Sequence, residues 1–104
     1  MRHLFISHCT VSEAFMNATP DDVEKYLAKM KESAKEHGIE IIFWGNPWGV
    51  TESFTFVCQS DKSLDNYVTW RGAWSRKTAS EGLPVYFTAT RTITVTELVT
   101  LRGG

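Results

Sequence analysis

Three sets of side chains in this sequence have types and spacings that could do chemistry: a strand histidine, two arginines in apolar surroundings, and a group of tryptophans and tyrosines. His8 alternates with Leu4 and Ile6 along one face of an apolar run. An imidazole there can take a proton as a general base in a pocket. The competing reading is a core or edge histidine bonded to its neighbours, since spacing identifies no partner carboxylate. Arg91 interrupts the apolar face of the last strand-like segment. A buried guanidinium needs an acceptor, because an unpaired buried charge is very costly. Glu40 or Glu52 would supply it structurally, and an anionic substrate would supply it functionally. Arg71 lies among tryptophans and poses the same choice, or stacks on Trp70 or Trp74.

Trp44, Trp48, Tyr67, Trp70 and Trp74 are dense for so short a chain. They either wall an apolar pocket for a flat aromatic substrate or pack a core and a subunit interface. A metal site is not indicated. His3 and His8 are five apart and point to opposite faces of one strand. His37 falls at a helix end, and there is no HxxxH or HExxH pattern. Cys9 and Cys58 lack CxxC spacing and read as buried free thiols rather than as a cluster with His8.

The elements that must position these groups follow from periodicity. Residues 2–11 alternate as a strand, with Leu4, Ile6 and His8 on one face and Phe5, Ser7, Cys9 and Val11 on the other. Residues 12–18 break the pattern yet stay apolar at Ala14, Phe15 and Met16. Thr19 is a good N-cap, Pro20 suits the first helical turn, and Asp21 and Asp22 favour the positive end of the helix dipole. Val23, Leu27, Met30 and Ala34 then form one stripe, and Gly38 can end the helix. In the next strand Ile39, Ile41 and Phe43 oppose Glu40, Ile42 and Trp44. The turn Gly45-Asn46-Pro47-Trp48-Gly49 leads by a hairpin to a strand over 51–59, with Phe54, Phe56 and Cys58 on one face. A second helix runs from about Ser63 to Lys77, with Leu64, Tyr67, Val68, Arg71 and Trp74 sharing a face. Gly72 in its interior suggests a close backbone approach. Finally Val85, Phe87, Ala89, Arg91, Ile93 and Val95 alternate with Tyr86 and five threonines. At about 3.3 Å per residue this strand would stretch ~40 Å, so it either bends at a bulge or runs onto a partner.

The 104 residues fit a single domain, 1–104, with a modest core. A net charge of −1 and a pI of about 6.3 exclude the basic stripe of a nucleic-acid binder. No apolar run approaches a membrane span of about 20 residues. The start of the chain lacks the features of a signal peptide, which makes a cytoplasmic location the expectation. No GxGxxG or P-loop pattern points to a nucleotide, and no cofactor is expected.

Four strands and two helices in this order make two split βαβ units: an antiparallel four-stranded sheet with both helices on one face. The other sheet face carries Phe5 or Leu4, Ile42, Trp44, Val57 and Tyr86, which is too apolar for a wet surface. A homodimer with facing sheets, or an assembly of such dimers, is the expectation. In this layout the chain resembles the dimeric α+β barrel superfamily of ferredoxin-like fold, which includes antibiotic-biosynthesis-type monooxygenases and stress-type proteins. The resemblance runs from Arg2 to about Val99. It is carried by Thr19-Pro20-Asp21, Gly38-Ile39-Glu40-Ile41, Asn66-Tyr67-Val68-Thr69-Trp70 and the final strand. It implies a two-subunit barrel, often with a pocket between sheet and helices, and leaves the activity open. Heme-degrading members carry a helix-2 histidine as iron ligand, and Thr69 to Ala79 contains none. Cofactor-free oxygenases of the group use Asn/Trp/Tyr pockets, and Asn66, Trp70 and Tyr67 are of those types. Two functions follow. One is a metal-free, monooxygenase- or isomerase-like enzyme for an apolar or aromatic substrate, with His8 as base, Arg91 or Arg71 as anion partner, and Trp44, Trp70 and Trp74 as walls. The other is a non-catalytic homo-oligomeric ligand-binding or assembly module with its aromatics between subunits.

Overall fold

The computed structural model of the chain describes residues 1–98; Val99, at the end of the resemblance, lies outside the described residues. The elements are β1 (His3–Val11), α1 (Glu13–Met16), α2 (Pro20–Glu36), β2 (Glu40–Gly45), β3 (Phe54–Ser60), α3 (Leu64–Ser80) and β4 (Phe87–Thr96). The sheet order is β2-β3-β1-β4, antiparallel throughout, with β2 and β4 at the edges. This is the βαββαβ ferredoxin-like fold, with the one-turn α1 added. No helix among the described residues is long and apolar enough to cross a membrane.

Helix α2 forms as its sequence dictates. The Thr19 hydroxyl accepts from the Asp22 N–H, Pro20 opens the first turn, and Gly38 ends the helix at φ +73°. Its stripe buries Leu27, Met30 and Ala34 with Tyr26 and Ser33. These side chains meet the sheet face made by Phe5, Cys9, Ile41, Phe54, Phe56 and Cys58, and Tyr67, Trp70 and Trp74 of α3 complete the core. Residues 12–18, expected to be irregular, contain α1. Ser12 caps it through the Phe15 N–H, and Phe15 packs on Tyr86 and Phe87, which explains the apolar connection.

Helix α3 departs from expectation in three ways. It continues to Ser80. Its Ser63 cap makes no side-chain hydrogen bond. Leu64 and Val68, assigned to the core-facing side, are exposed, because the buried line is Tyr67, Trp70, Trp74 and Thr78. Three wide rings fill the gap to the sheet and set the helix rotation.

Two β-bulges correct the facing of whole half-strands. In β4, Arg91 pairs with His8 but Ala89 with Cys9, so Thr90 is the extra residue. In β2, Ile41 pairs with Cys58 but Phe43 with Val57, so Ile42 is extra. Strand side chains alternate with a period of two, so one inserted residue moves all that follow to the other face. Phe87 and Ala89 therefore lie under the helices, while Arg91, Ile93 and Val95 face the open side. Likewise Ile41 is buried, Phe43 faces out, and Trp44 turns to the helix side. Of the residues expected on the open face, Phe5 and Tyr86 are buried instead, and Leu4 and Val57 are there.

Gly72 accommodates no neighbouring backbone. A Cβ there would meet only the tip of the Arg76 side chain, at 3.3 Å. Glycine inside a helix costs about 1 kcal/mol relative to alanine, and a flexible guanidinium can move aside. Gly72→Ala is therefore expected to raise stability by about 0.5–1 kcal/mol, read as a higher urea midpoint at unchanged slope.

Candidate functional site

The bulges divide the sequence-predicted residues between two sides of the sheet. His8 and Arg91 lie on the open face, next to each other on β1 and β4. Arg71 and Trp44, with the buried rings of Tyr67, Trp70 and Trp74, lie on the helix side. One subunit does not bring the proposed base and the aromatic walls into a single pocket, because the sheet stands between them.

On the open face, the strand registers define three rows. Gly45, Thr55, His8 and Arg91 form a polar row; Phe43, Val57, Ile6 and Ile93 form an apolar one; and Glu40, Gln59, Leu4 and Val95 form a mixed one. His8 Nδ1 is 2.7 Å from the Thr55 hydroxyl. Arg91 donates from Nε and Nη2 to the two carboxylate oxygens of Glu52 at 3.0 and 2.8 Å, and the Thr90 hydroxyl adds a bond at 2.6 Å. Of the two carboxylates open to Arg91, Glu52 is the partner; Glu40 instead accepts from Gln59. Arg91 was expected to be buried. The bulge at Thr90 carries it to the open face, where its side chain is half exposed and Glu52 is the buried member. Hydrogen bonds from Arg91 and then Thr90 hold the Glu52 carboxyl down at about 2, from an ordinary value of 4.5.

On the helix side, Arg71 reaches inward from α3. Its guanidinium carbon lies 5.2 Å from the Phe56 ring centre and 5.7 Å from that of Trp70. No ion pair among the described residues includes Arg71. It opens instead on a cavity of about 270 Å³, lined with Tyr26, Trp74, Thr78, Phe87 and Ala89. Next to it, the Tyr67 hydroxyl is 2.5 Å from that of Ser7, which is 2.7 Å from that of Thr92. This chain of three hydroxyls runs from the core to the exposed β4 edge. Burial pushes Tyr67 up to about 12, Cys9 to about 11 and Cys58 to about 12, while the Arg71 charge opposes each shift. Both thiols are therefore neutral and unreactive near pH 7.

The remaining candidates have separate tasks. Trp70 is fully buried, and its Nε1–H donates to Ser33. Asn66 donates to the His37 carbonyl and so ties the start of α3 to the end of α2. Tyr67 stacks on Phe5 at 4.5 Å. Trp44 borders a different concavity, beside α1 and the start of α2. Among the described residues, no three of His, Cys, Asp and Glu converge where they could hold a metal ion. Ser7 and Thr92 were missed, although a serine between Phe5 and Cys9 on a core-facing strand signals a buried hydroxyl that needs a partner.

The Glu52–Arg91 contact sets a pH dependence. The folded-state value of Glu52 lies below the unfolded one, so its stabilisation is complete above about pH 4.5 and is lost as pH falls towards 2. Glu52→Gln is expected to lower the urea midpoint at neutral pH, and the gap to the parent chain should close progressively between those two pH values.

No protein-family model matches the sequence, and no curated protein matches it. Solved structures do match in shape. A mutant chlorite dismutase from Candidatus Nitrospira defluvii superposes with a TM-score of 0.61 at 7% identity, covering 98% of this chain and 43% of that one. The chain thus spans less than half the length of that protein. A structural-genomics protein, YJCS, gives a TM-score of 0.57 at 10% identity over 94% of this chain and 100% of its own. A dimeric ferredoxin-like protein of unknown function from Thermobifida fusca gives 0.48 at 17% identity over 91% and 88%. The first two likenesses establish a shared fold and nothing finer.

Proposed function

We propose that the chain binds a small aromatic or apolar carboxylate in the cavity at Arg71, as one subunit of a homodimer closed over the open sheet face. The observation that carries the ligand reading is the half-buried Arg71 guanidinium, seated on two rings with no carboxylate partner among the described residues. An arginine is a strong, planar donor to a carboxylate, and its strength grows where water is scarce. The cavity is smaller than the roughly 300–1,000 Å³ of drug-sized sites, which suits a one- or two-ring acid. Tyr26, Trp74 and Phe87 supply the apolar walls.

The role proposed for His8 changes accordingly. It lies across the sheet from Arg71, so it can act as a base only on a substrate held between two open faces. Ligand binding at Arg71 needs no such step.

The homodimer rests on the apolar row of the open face. Phe43 is 68% exposed at the β2 edge, and Val57, Ile6 and Ile93 continue its row across the sheet, with Leu4 and Val95 in the row beside it. A contiguous apolar face of this kind usually marks an interface. A two-fold pairing buries it against an identical surface.

Two measurements test these statements. In titration calorimetry, indole-3-propionate should bind at least about tenfold more tightly than the neutral tryptophol, and Arg71→Gln should erase the difference. Equal binding of acid and alcohol to the parent chain would refute the Arg71 reading. In light scattering, the parent chain should give twice the 11.8 kDa chain mass, and Phe43→Lys should give the single mass. Phe43 is exposed within the subunit, so the substitution leaves folding intact; a parent chain that is already monomeric contradicts the dimer.

A further inference from the structure

A groove of about 680 Å³ lies on the helix side of the β2 edge and shares no lining residue with the Arg71 cavity. Its walls are Phe15 and Met16 from α1, Val23 and Leu27 from α2, and Trp44 from β2, and Glu24 is the one charged side chain among them. The bulge at Ile42 is what turns Trp44 into it. Bulges re-aim side chains next to functional sites, and this one removes an indole from the open face.

Two features state what the groove would accept. The Trp44 ring makes no ring contact among the described residues, whereas the Tyr26, Phe54, Phe56, Trp70 and Trp74 rings all do. Glu24 forms no ion pair among the described residues. The helix positions three and four away from it hold Pro20, Asp21, Leu27 and Ala28, so no cation can reach it along α2. The nearby Asp21 pairs with Lys25. An apolar groove with an open indole and one uncompensated carboxylate is complementary to a ligand that is apolar at one end and cationic at the other.

We propose that this groove binds a small amphiphilic amine, with its apolar body against Trp44, Met16 and Leu27 and its ammonium group at Glu24. The open indole of Trp44 offers a flat apolar face for the body of the ligand, and Met16, 70% exposed, has the flexibility to close over ligands of different outline. The site has the opposite charge preference to the Arg71 cavity and stands independently of it.

The test is a titration of the intact chain with tryptamine and with tryptophol, which share a body and differ in charge. The Trp44 indole N–H is followed by NMR and assigned through Trp44→Phe. Tryptamine should shift that resonance and bind about fivefold more tightly than tryptophol, the range of an exposed ion pair. Glu24→Gln should bring tryptamine down to tryptophol, and Trp44→Ala should weaken both about tenfold. Equal binding of amine and alcohol to the parent chain, an undisturbed Trp44 resonance, or a tryptamine affinity indifferent to Glu24→Gln would each overturn the proposal. Glu24 is exposed, so its substitution tests the site without testing the fold.

Discussion

Strand side chains alternate strictly, and a single extra residue in a strand exchanges its two faces from that point on. Nearly everything distinctive about this molecule depends on that constraint being used twice. Without the bulge at Thr90, the side chain of Arg91 would lie under α3, in a core that already holds the Arg71 guanidinium. With it, Arg91 emerges on the open face, beside His8 and within reach of Glu52. Without the bulge at Ile42, Trp44 would sit on the open face and Phe43 under α2. With it, the larger ring goes to the groove and the smaller one to the row shared with Val57, Ile6 and Ile93.

The helix side of the sheet holds a cation against its rings. Arg71 is the charge that acts on Cys9, Cys58, Tyr26 and Tyr67 at once. A guanidinium in such a place is tolerable because it is weakly hydrated, lies over ring faces, and still reaches water through its cavity. The neighbouring hydroxyl chain satisfies Tyr67 and Ser7 within the core, so neither competes for Arg71. The two arginines that looked alike in sequence thus differ in a physical sense: Arg91 is paired with a buried carboxylate, and Arg71 lies over ring faces with no ion pair among the described residues.

How much of this was legible in the sequence varies with the range of the interaction. Helix α2 could be read almost completely, because caps, dipole charges and an i, i+4 stripe are local. Apart from α1, the element order, and hence the fold, followed from strand and helix periods. The length of the last strand called for a bulge as one of two alternatives, and β4 has one, but the positions of the bulges could not be read, because the extra residue exists only relative to the paired strand. For the same reason the open face was recognised as apolar while some of its members were misassigned. The rotation of α3 was missed because Leu64 and Val68 fit a helical stripe as well as Trp70 does. Only the depth of the gap to the sheet, which suits wide rings, decides between them. Glu52 was named as an acceptor for Arg91, but its choice over Glu40 depends on the loop before β3, which no periodicity describes.

The arrangement also explains why a small chain can present several surfaces without their interfering. The Arg71 cavity, walled by α2, α3 and β4, and the Trp44 groove, walled by α1, α2 and β2, share no lining residue, and both are on the helix side. Covering the open face with a second subunit would obstruct neither. It would bury the Phe43, Val57, Ile6 and Ile93 row, whose cost in water a chain of this size is poorly placed to bear, since small domains bury a smaller share of their apolar surface. The polar row at the same face, with His8 bonded to Thr55 and Arg91 to Glu52, would enter such an interface with its strongest charges already paired. Unpaired charges are what make polar groups expensive at a dry interface. The Glu52–Arg91 contact therefore reads as the feature that lets an arginine on this face be compatible with being covered.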